Sequence, residues 1–183
     1  MIYCISDLHL GHTKLCKDYP VTFPVTRKYG TVEEMEQDII PNWNYTVNDD
    51  DTVIFLGDLA WPLHTGKLWK QKAPDITRVW NGLAGNKVFL KGNHDEQPFL
   101  NKDCFERTSF VVGEYCLVHN GRLFHFRHYP YLYSSIKMNE VYVHGHTHST
   151  VKFDGLQNNV SWEAWYRPVS LDELKSPEKL EEK

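Results

Sequence analysis

Five short polar clusters in this sequence carry side chains that can bind metal ions. They are Asp7-Leu8-His9, Gly57-Asp58, Gly92-Asn93-His94-Asp95, His128 and Gly145-His146-Thr147-His148. Together they supply carboxylates, imidazoles and one amide oxygen, a mixture that suits Mn, Fe, Co, Ni or Zn better than Ca or Mg alone. Two such ions about 3.5–4 Å apart can hold a phosphoryl group and share a nucleophilic hydroxide. These residue types therefore indicate a site for divalent metal ions, and hydrolysis of a phosphoester is one reaction that such a site can carry out.

Each cluster comes directly after a predicted strand. The strands are expected at residues 1–6, 52–56, 87–91, 122–127 and 141–144, where short runs of strand-forming residues end abruptly in polar groups. In α/β proteins, ligands lie beyond the carboxyl ends of the strands. Because all five clusters occupy that position, we expect them to meet at one edge of the fold.

Two helices are expected between the first three strands. A capping-box pattern at residues 31–34 predicts the start of a helix that contains Trp43, and Pro41 should kink or shift this helix. A broken helical pattern over residues 64–84 predicts the second helix, which Gly82 helps to end. The first half of the chain is therefore predicted to alternate strand and helix.

The second half is predicted to be mostly β. Further strands are expected at residues 110–112, 114–118 and near Val160, with a tight hairpin turn at Asn120-Gly121 and a final short helix capped by Ser170. The expected order is thus β-α-β-α-β, followed by short strands and turns.

The composition is that of an ordinary globular protein. The chain has 183 residues, of which 41% are hydrophobic and 24% charged. We expect a single domain over residues 1–175, with an irregular segment at 13–30, and a charged tail at 176–183. The net charge of −4 argues against a strongly basic nucleic-acid surface.

The four cysteines are Cys4, Cys16, Cys104 and Cys116, and none forms a C-x-x-C pair. We therefore do not expect a zinc site built on cysteine, and free thiols in a reducing cytoplasm are the simplest interpretation. The N-terminal residues have no basic segment and no long apolar run, and no stretch approaches the length of a membrane span. The expected location is the cytoplasm.

The ordered set of clusters resembles the signature of the calcineurin-like metallophosphoesterases. That signature runs D-x-H, G-D, G-N-H-D/E, H and G-H-x-H, and this sequence has every element in that order between Asp7 and His148. The flanking sequence also resembles small single-domain bacterial and bacteriophage members of that family. The stretches that carry this resemblance are ISDLHLGH, VIFLGDLAW, VFLKGNHD, HYP, GHTH and RPVSLDEL. The resemblance implies an α/β sandwich in which two mixed β-sheets are flanked by helices (α-β-β-α), with two metal ions at one edge.

The resemblance also implies a role for the residues of the clusters. One ion would be held by Asp7, His9, Asp58 and His148, and the other by Asp58, Asn93, His128 and His146. Asp58 would bridge the ions, and a bridging hydroxide would attack phosphorus in line. His94 would act as general acid at the leaving group, or contact the phosphate, with Asp95 accepting a hydrogen bond from it. The Asn93 amide would touch both metal and phosphate.

A few further residues carry weaker expectations. His12 and Arg127 could contact the substrate phosphate, although a solvated histidine and an arginine turned away by strand alternation are the alternatives. For Trp61, a core or rim aromatic is favoured over a substrate-stacking platform. No role is expected for His64, His119, His125 and His144. Of these, His119 and His125 lie close enough in sequence to His128 to be alternatives to it as a ligand.

A phosphodiesterase acting on a small or nucleotide-type phosphodiester is the favoured function, and a phosphomonoesterase acting on a small phosphorylated metabolite is second. The protein phosphatases of the resembled superfamily carry G-D-x-x-D-R-G, whereas this chain has Gly57-Asp58-Leu59-Ala60-Trp61-Pro62, without that Arg. A compact nuclease is less favoured because the chain is acidic and has little room for a DNA-binding cap. A non-catalytic scaffold of the same fold would lack a ligand, and this sequence lacks none.

The expected cofactors are two divalent metal ions, with Mn, Fe, Ni, Co and Zn as candidates. The expected partner is a small phosphoester, of which nucleotides are one type. We expect no membrane association and no obligatory protein partner, and the sequence leaves a homo-oligomer open.

Overall fold

A computed structural model describes residues 1–16, 27, 29–61 and 66–177 of the protein. Most of the expected irregular segment at 13–30, His64 and most of the expected tail at 176–183 lie outside these residues.

The strands are β1 (Ile2–Ile5), β2 (Thr52–Phe55), β3 (Asn86–Leu90), β4 (Thr108–Val111), β5 (Tyr115–His119), β6 (Arg122–Phe126), β7 (Glu140–His144), β8 (Asn158–Asn159) and β9 (Val169–Ser170). The α-helices are α1 (Thr13–Cys16), α2 (Val32–Thr46), α3 (Gly66–Asn81), α4 (Glu96–Leu100) and α5 (Trp162–Trp165), and short 3₁₀ helices cover Lys102–Cys104, Tyr133–Ser135 and Leu171–Glu173.

The strands form two mixed sheets. The first has the order β4-β3-β2-β1-β9, in which β1 to β4 are parallel and β9 is antiparallel to β1. The second has the order β5-β6-β7-β8, in which β6 to β8 are parallel and β5 is antiparallel to β6. Two mixed sheets flanked by helices make an α/β sandwich, so the predicted fold class is confirmed.

The strand predictions are confirmed to within a few residues. The hairpin between β5 and β6 turns at Asn120 and Gly121, whose φ angles of 49° and 76° suit a two-residue turn. Helices α4 and α5 and strand β9 were not predicted, and α1 lies in the segment that was expected to be irregular, because elements of two to five residues are too short to show a periodic pattern. Among the described helices, none combines the length and the apolar character needed to cross a membrane.

Helix α2 begins at the predicted cap. The Thr31 hydroxyl accepts a hydrogen bond from the Glu34 N–H at 3.1 Å, and the Glu34 carboxylate accepts one from the Gly30 N–H at 2.7 Å. These bonds stabilise the first turn, whose N–H groups have no partner within the helix. The helix continues through Pro41 to Thr46, so the proline does not end it.

The hydrophobic core has two layers, one on each face of the first sheet. Alternate residues of a strand point to opposite faces. In β2, Val53 and Phe55 pack in the layer that contains Trp43 of α2 and Trp80 of α3, whereas Ile54 packs in the layer shared with β6 and β7 of the second sheet. This packing fixes the two sheets against each other, and with them the positions of their strand ends.

Candidate metal centre

Strands from both sheets end at one place in the fold. Strands β1, β2 and β3 lead to Asp7, Asp58 and Asn93, and β6 and β7 lead to His128 and His146. The two sheets are joined here by hydrogen bonds: the His146 N–H donates to Asp7 Oδ2 at 2.9 Å, and His128 Nε2 lies 2.8 Å from Asn93 Oδ1. The structure therefore brings the five clusters together, as their position after the strands predicted.

Five residues of this region have a backbone conformation that is uncommon for residues other than glycine. The φ angles of Asp7, His9, Asp58, His146 and His148 lie between 48° and 67°. Such left-handed residues cost of the order of 1 kcal/mol each and persist where surrounding contacts enforce them. The backbone therefore turns sharply at the end of three strands, which brings the side chains toward one another.

The first group of metal-binding atoms belongs to Asp7, His9 and His148. The Nε2 atoms of His9 and His148 lie 3.1 Å apart. Asp7 Oδ1 lies 3.8 Å from His9 Nε2 and 3.7 Å from His148 Nε2. All three side chains are buried. Two imidazole nitrogens and a carboxylate oxygen that converge in this way could hold one metal ion.

The second group belongs to Asp58, Asn93, His128 and His146. His128 Nε2 lies 2.8 Å from Asn93 Oδ1, 3.2 Å from His146 Nδ1 and 3.5 Å from Asp58 Oδ2. The group offers two imidazole nitrogens, a carboxylate and an amide oxygen. These atoms could hold a second ion beside the first.

Asp58 lies between the two groups. Its Oδ2 atom is 3.6 Å from His9 Nε2 and 3.5 Å from His128 Nε2. Its other oxygen, Oδ1, accepts a hydrogen bond from the His94 N–H at 2.9 Å, which holds the carboxylate in place. One carboxylate that reaches both groups could be shared by two ions.

The charges of the site fit divalent cations. Asp7 Oδ1 is buried and has no hydrogen-bond partner among the described residues, and such an atom is costly unless a cation compensates it. Burial opposes ionisation of Asp7, but the neighbouring His9 and the charge of His148 outweigh it and lower its pKa. Burial also opposes protonation of His128, yet its bond to Asp58 and the charge of Asp7 raise its pKa to about 9. The centre thus attracts positive charge, as a metal site requires.

Backbone contacts orient two of the candidate ligands. His128 Nδ1 lies 2.8 Å from the Leu56 carbonyl oxygen, so the ring can donate from Nδ1 and keep Nε2 as the electron-pair donor for a metal. Asp7 Oδ2 accepts hydrogen bonds from the Ser6 hydroxyl at 2.5 Å and the His146 N–H at 2.9 Å. These bonds leave Asp7 Oδ1 as the oxygen that faces the first group.

Two buried residues that sequence reasoning missed support the first group. Glu163 Oε1 lies 3.0 Å from His148 Nδ1 and accepts a hydrogen bond from Arg27 Nε at 2.7 Å. Arg27 also donates to the backbone carbonyls of Asp7 and Leu8. Burial opposes ionisation of Glu163, but Arg27 and His148 lower its pKa to about 2, so this carboxylate is charged. Glu163 can therefore orient the His148 ring, while Arg27 holds the backbone beside it.

The sequence carries only a weak signal for this pair. Glu163 is a lone carboxylate in the apolar, aromatic stretch at 160–166. A carboxylate in such a stretch is buried only when it is paired. Its partners lie far away along the chain, so local spacing does not reveal them.

Asp95 contacts the backbone of the turns that follow β2 and β3. Its Oδ2 accepts hydrogen bonds from the N–H groups of Asp58 at 2.7 Å and Gly92 at 2.8 Å, and its Oδ1 accepts one from the Leu59 N–H at 3.0 Å. Burial and the charge of Asp58 raise its pKa to about 7. Asp95 thus holds together the turns that follow β2 and β3, and the expectation that it also accepts a hydrogen bond from His94 stays a prediction.

His94 lies beside Asp58 and is partly exposed. Its Nε2 atom is 3.8 Å from Asp58 Oδ2, and its ring packs edge-on against Trp61, with 4.3 Å between centroids.

Trp61 also stacks on His12 at 4.7 Å, so it is a rim aromatic packed against two histidines. Burial, and then the charge of His9, lower the pKa of His12 to about 3. Burial thus favours the neutral imidazole of His12, and its predicted contact with the substrate phosphate stays a prediction.

A cavity of about 370 Å³ opens beside the second group of ligands. Arg127 lies on the wall of this cavity. Its guanidinium donates hydrogen bonds to the backbone carbonyl of Tyr129 at 2.8 Å and to that of Pro130, and lies 3.9 Å from the centre of the Tyr131 ring. The predicted contact between Arg127 and a phosphate stays a prediction. The residues lining the cavity are Lys91, Gly92, Asn93, Val112, Gly113, Glu114, Arg127, His128 and Tyr129.

The other described histidines have partners away from the two groups. His119 and His125 lie at hydrogen-bonding distance from carboxylates, and His144 Nδ1 lies 2.8 Å from the carbonyl oxygen of the next residue. The structure thus places His128, and neither His119 nor His125, in the two groups of this centre.

Two glycines are required by the close approach of the turns. A Cβ on Gly92 would overlap the Asp58 carboxylate, and a Cβ on Gly145 would overlap the Asp7 carboxylate and the Ser6 hydroxyl. Only a residue without a side chain lets the backbone pass so near a ligand. The glycines that precede Asn93 and His146 therefore belong to the architecture of the centre.

Comparisons with known proteins agree with this geometry. The family model for calcineurin-like phosphoesterase matches residues 1–173. The uncharacterized protein MJ1445 of Methanocaldococcus jannaschii is 35% identical over 179 residues, which cover 93% of this chain and 87% of that protein. The structure of AQ665, a protein of unknown function from Aquifex aeolicus, has a TM-score of 0.68 at 24% identity, with 94% of this chain and 96% of that chain covered. Yfce, a phosphoesterase from E. coli, has a TM-score of 0.52 at 14% identity, with 87% and 77% covered.

The family match and the geometry of the site lead to the same conclusion. The match spans all five clusters, from Asp7 to His148. The two solved structures are similar at low identity and support the fold. Enzymes of this family depend on a dinuclear metal centre, and this chain places two groups of candidate ligands side by side. The protein belongs to the calcineurin-like phosphoesterase family and is a hydrolase that acts on phosphoester bonds.

Proposed function

We propose that this protein is a phosphodiesterase that acts on a small or nucleotide-type phosphodiester at a centre for two divalent metal ions. The observation that carries the proposal is the position of Asp58 Oδ2, 3.6 Å from His9 Nε2 and 3.5 Å from His128 Nε2. A carboxylate at nearly equal distances from two sets of donors supports a shared ligand. When bound, two ions would neutralise the phosphoryl oxygens and activate a water for attack on phosphorus.

The ligands follow from the two groups. Asp7, His9, Asp58 and His148 are proposed for one ion, and Asp58, Asn93, His128 and His146 for the other. The mixture of imidazole and carboxylate donors favours Mn, Fe, Ni, Co or Zn. The chain's contribution is to hold these donors in place: Glu163 orients His148, and the Leu56 carbonyl orients His128.

His94 is proposed as the general acid. Its ring lies beside Asp58 but belongs to neither group, and its side chain is 19% exposed, so a substrate can reach it. Its own N–H is bonded to Asp58 Oδ1, which fixes the backbone next to the reacting phosphate. From this position the imidazolium can give a proton to the departing oxygen.

The cavity beside His128 supports a diester with a sizeable second substituent. Its wall carries two cations, Lys91 and Arg127, and one carboxylate, Glu114, and the excess of positive charge suits an anionic substrate. Tyr129 is half exposed, and its ring centre lies 4.6 Å from that of His146. An exposed aromatic ring next to the centre could stack on a nucleobase, which favours a nucleotide-type diester.

The test compares hydrolysis of bis-p-nitrophenyl phosphate with that of p-nitrophenyl phosphate, with Mn, Ni or Zn added to protein stripped of metal. Asp58→Asn is the control variant, because it keeps the size of the side chain and removes the charge. We expect faster turnover of the diester, and a loss of about 10²–10³-fold or more in the variant.

Faster turnover of the monoester would replace the proposed function with a phosphomonoesterase on the same centre. Near-normal activity of Asp58→Asn would contradict the shared ligand. Folded protein that binds metals yet hydrolyses neither ester would contradict the small-diester substrate class.

A further inference from the structure

A second cluster of metal-binding side chains lies on the outer face of the second sheet. Glu114 precedes β5, Cys116 lies in β5, and His125 lies opposite Cys116 in β6. Residues two apart in an extended chain share a face, and the cross-strand pairing brings the histidine beside both. Phe124 and Phe126, the neighbours of His125 in β6, point the other way into the core between the sheets.

We propose that Glu114, Cys116 and His125 form a binding site for a zinc ion, distinct from the two groups of phosphoesterase ligands, with Glu114 also lining the cavity beside His128. His125 Nδ1 lies 2.9 Å from Glu114 Oε1 and 3.3 Å from Cys116 Sγ, and Sγ lies 3.8 Å from Oε1. At the usual zinc bond lengths, tetrahedral ligand atoms lie about 3.4–3.6 Å from one another. The three atoms already approach that spacing, and changes of about 0.5 Å would complete it.

The donor types select zinc. A thiolate with an imidazole and a carboxylate is a combination that binds Zn²⁺ in proteins, whereas hard ions such as Mg²⁺ avoid sulfur. The thiol proton passes to solvent when Cys116 becomes a ligand. Glu114 is 44% exposed and Cys116 is exposed, so an ion can enter and a water molecule can take the fourth position.

The surroundings of His125 prepare it for this role. Its Nε2 atom lies 2.8 Å from Glu140 Oε2, which also accepts a hydrogen bond from the Tyr142 hydroxyl at 2.8 Å. The ring is stacked on Tyr142, with 4.8 Å between centroids and 5° between planes. A histidine that donates one N–H to a carboxylate directs its other nitrogen at a metal, an arrangement common around zinc. Here that other nitrogen faces Glu114 and Cys116.

The site would link an edge strand to its neighbour. Strand β5 is at the edge of its sheet and pairs with β6. A zinc ion between Cys116 and His125 would cross-link the two strands. The lack of a C-x-x-C pair argued against a cysteine-based zinc site, but these ligands come together through strand register rather than short spacing along the chain. This proposal replaces that expectation.

Cobalt substitution tests the proposal independently of any enzymatic activity. Co²⁺ is added to full-length protein stripped of metal, and the thiolate-to-cobalt charge-transfer band is recorded in the near ultraviolet. The proposed phosphoesterase ligands are nitrogen and oxygen atoms, so that band reports a sulfur ligand. The variants are Cys116→Ser, Cys104→Ser as a matched exposed cysteine, and Asp58→Asn.

We expect the band in the wild type, in Cys104→Ser and in Asp58→Asn, and its loss in Cys116→Ser. Bound zinc should fall by one equivalent in Cys116→Ser, and His125→Gln should also lose the band. Circular dichroism checks that each variant is folded. Absence of the band from the wild type, or its persistence in Cys116→Ser, would overturn the proposal.

Discussion

Glu163 Oε1 lies 3.0 Å from Nδ1 of His148, deep inside the protein. Glu163, which is not a candidate metal ligand, thus orients the imidazole ring of His148, which is a candidate ligand. The same oxygen accepts a hydrogen bond from Arg27, so the orientation of His148 depends on a buried ion pair. Changes at these positions should therefore reach the metal centre without touching a ligand.

Replacing Glu163 with Gln is expected to weaken metal binding by about 10–100-fold. The neutral amide holds the His148 ring less firmly, and Arg27 is left buried without a counter-charge, which should cost about 3–5 kcal/mol of stability. Competition with a fluorescent chelator measures the affinity, and urea unfolding measures the stability.

The matched control is Glu173→Gln, which removes a glutamate that pairs with Arg167 at the surface. That pair is partly exposed, so the stability should change by no more than about 1 kcal/mol, and metal binding should not change. Equal effects of the two substitutions on metal affinity would contradict the positioning role of Glu163.

Replacing His94 with Ala should separate protonation of the leaving group from metal binding. We expect turnover of an alkyl ester, whose leaving group is poor, to fall about 100-fold or more, and turnover of a p-nitrophenyl ester to fall much less. Metal content should stay at the wild-type level, because His94 belongs to neither group of ligands. Loss of bound metal from this variant would show that His94 is a ligand instead.

Replacing Gly92 with Ala should disturb the centre through packing alone. The added Cβ would overlap the Asp58 carboxylate and the Asp58 N–H, so the turn must shift, at a cost of about 1–3 kcal/mol. We expect weaker metal binding and lower activity. The control is Gly82→Ala, in which the added Cβ would meet its nearest atoms at 3.4 Å, an ordinary contact distance. Metal binding and activity should stay at the wild-type level in this variant. Thermal unfolding and metal titration of the two variants measure the difference.

Lys87 should make stability rise with pH in the alkaline range. Its buried Nζ donates to the Leu83 carbonyl at 2.6 Å, and burial lowers its pKa from 10.5 to about 8. Below pH 8 the amine is protonated in the folded and unfolded states alike. Between pH 8 and 10.5 the unfolded chain holds a proton that the folded protein has lost, so stability increases with pH.

The comparison that isolates this effect is wild type against Lys87→Met. From pH 8 to pH 10, the free energy of unfolding of the wild type should rise by about 2 kcal/mol relative to the variant. Urea unfolding at several pH values measures it. Parallel pH profiles for the two proteins would mean that the pKa of Lys87 is the same in both states.

The sequence by itself determined the strands and the residues at their ends. Short apolar runs followed by polar groups mark β1, β2, β3, β6 and β7, because local side-chain pattern decides where a strand begins and ends. The chemistry of Asp7, Asp58 and Asn93 could therefore be assigned to one edge of the fold before any contact was known. The order of the clusters along the chain also indicated the family.

The tertiary structure alone decided how these residues are supported. The contact between Glu163 and His148, the backbone hydrogen bonds of Asp95, and the meeting of Cys116 with His125 depend on sheet packing and strand register. Local periodicity carries no information about partners that are distant in the chain or that face each other across a sheet. Spacing along the sequence therefore predicted the candidate ligands, whereas only the packed sheets showed what orients them.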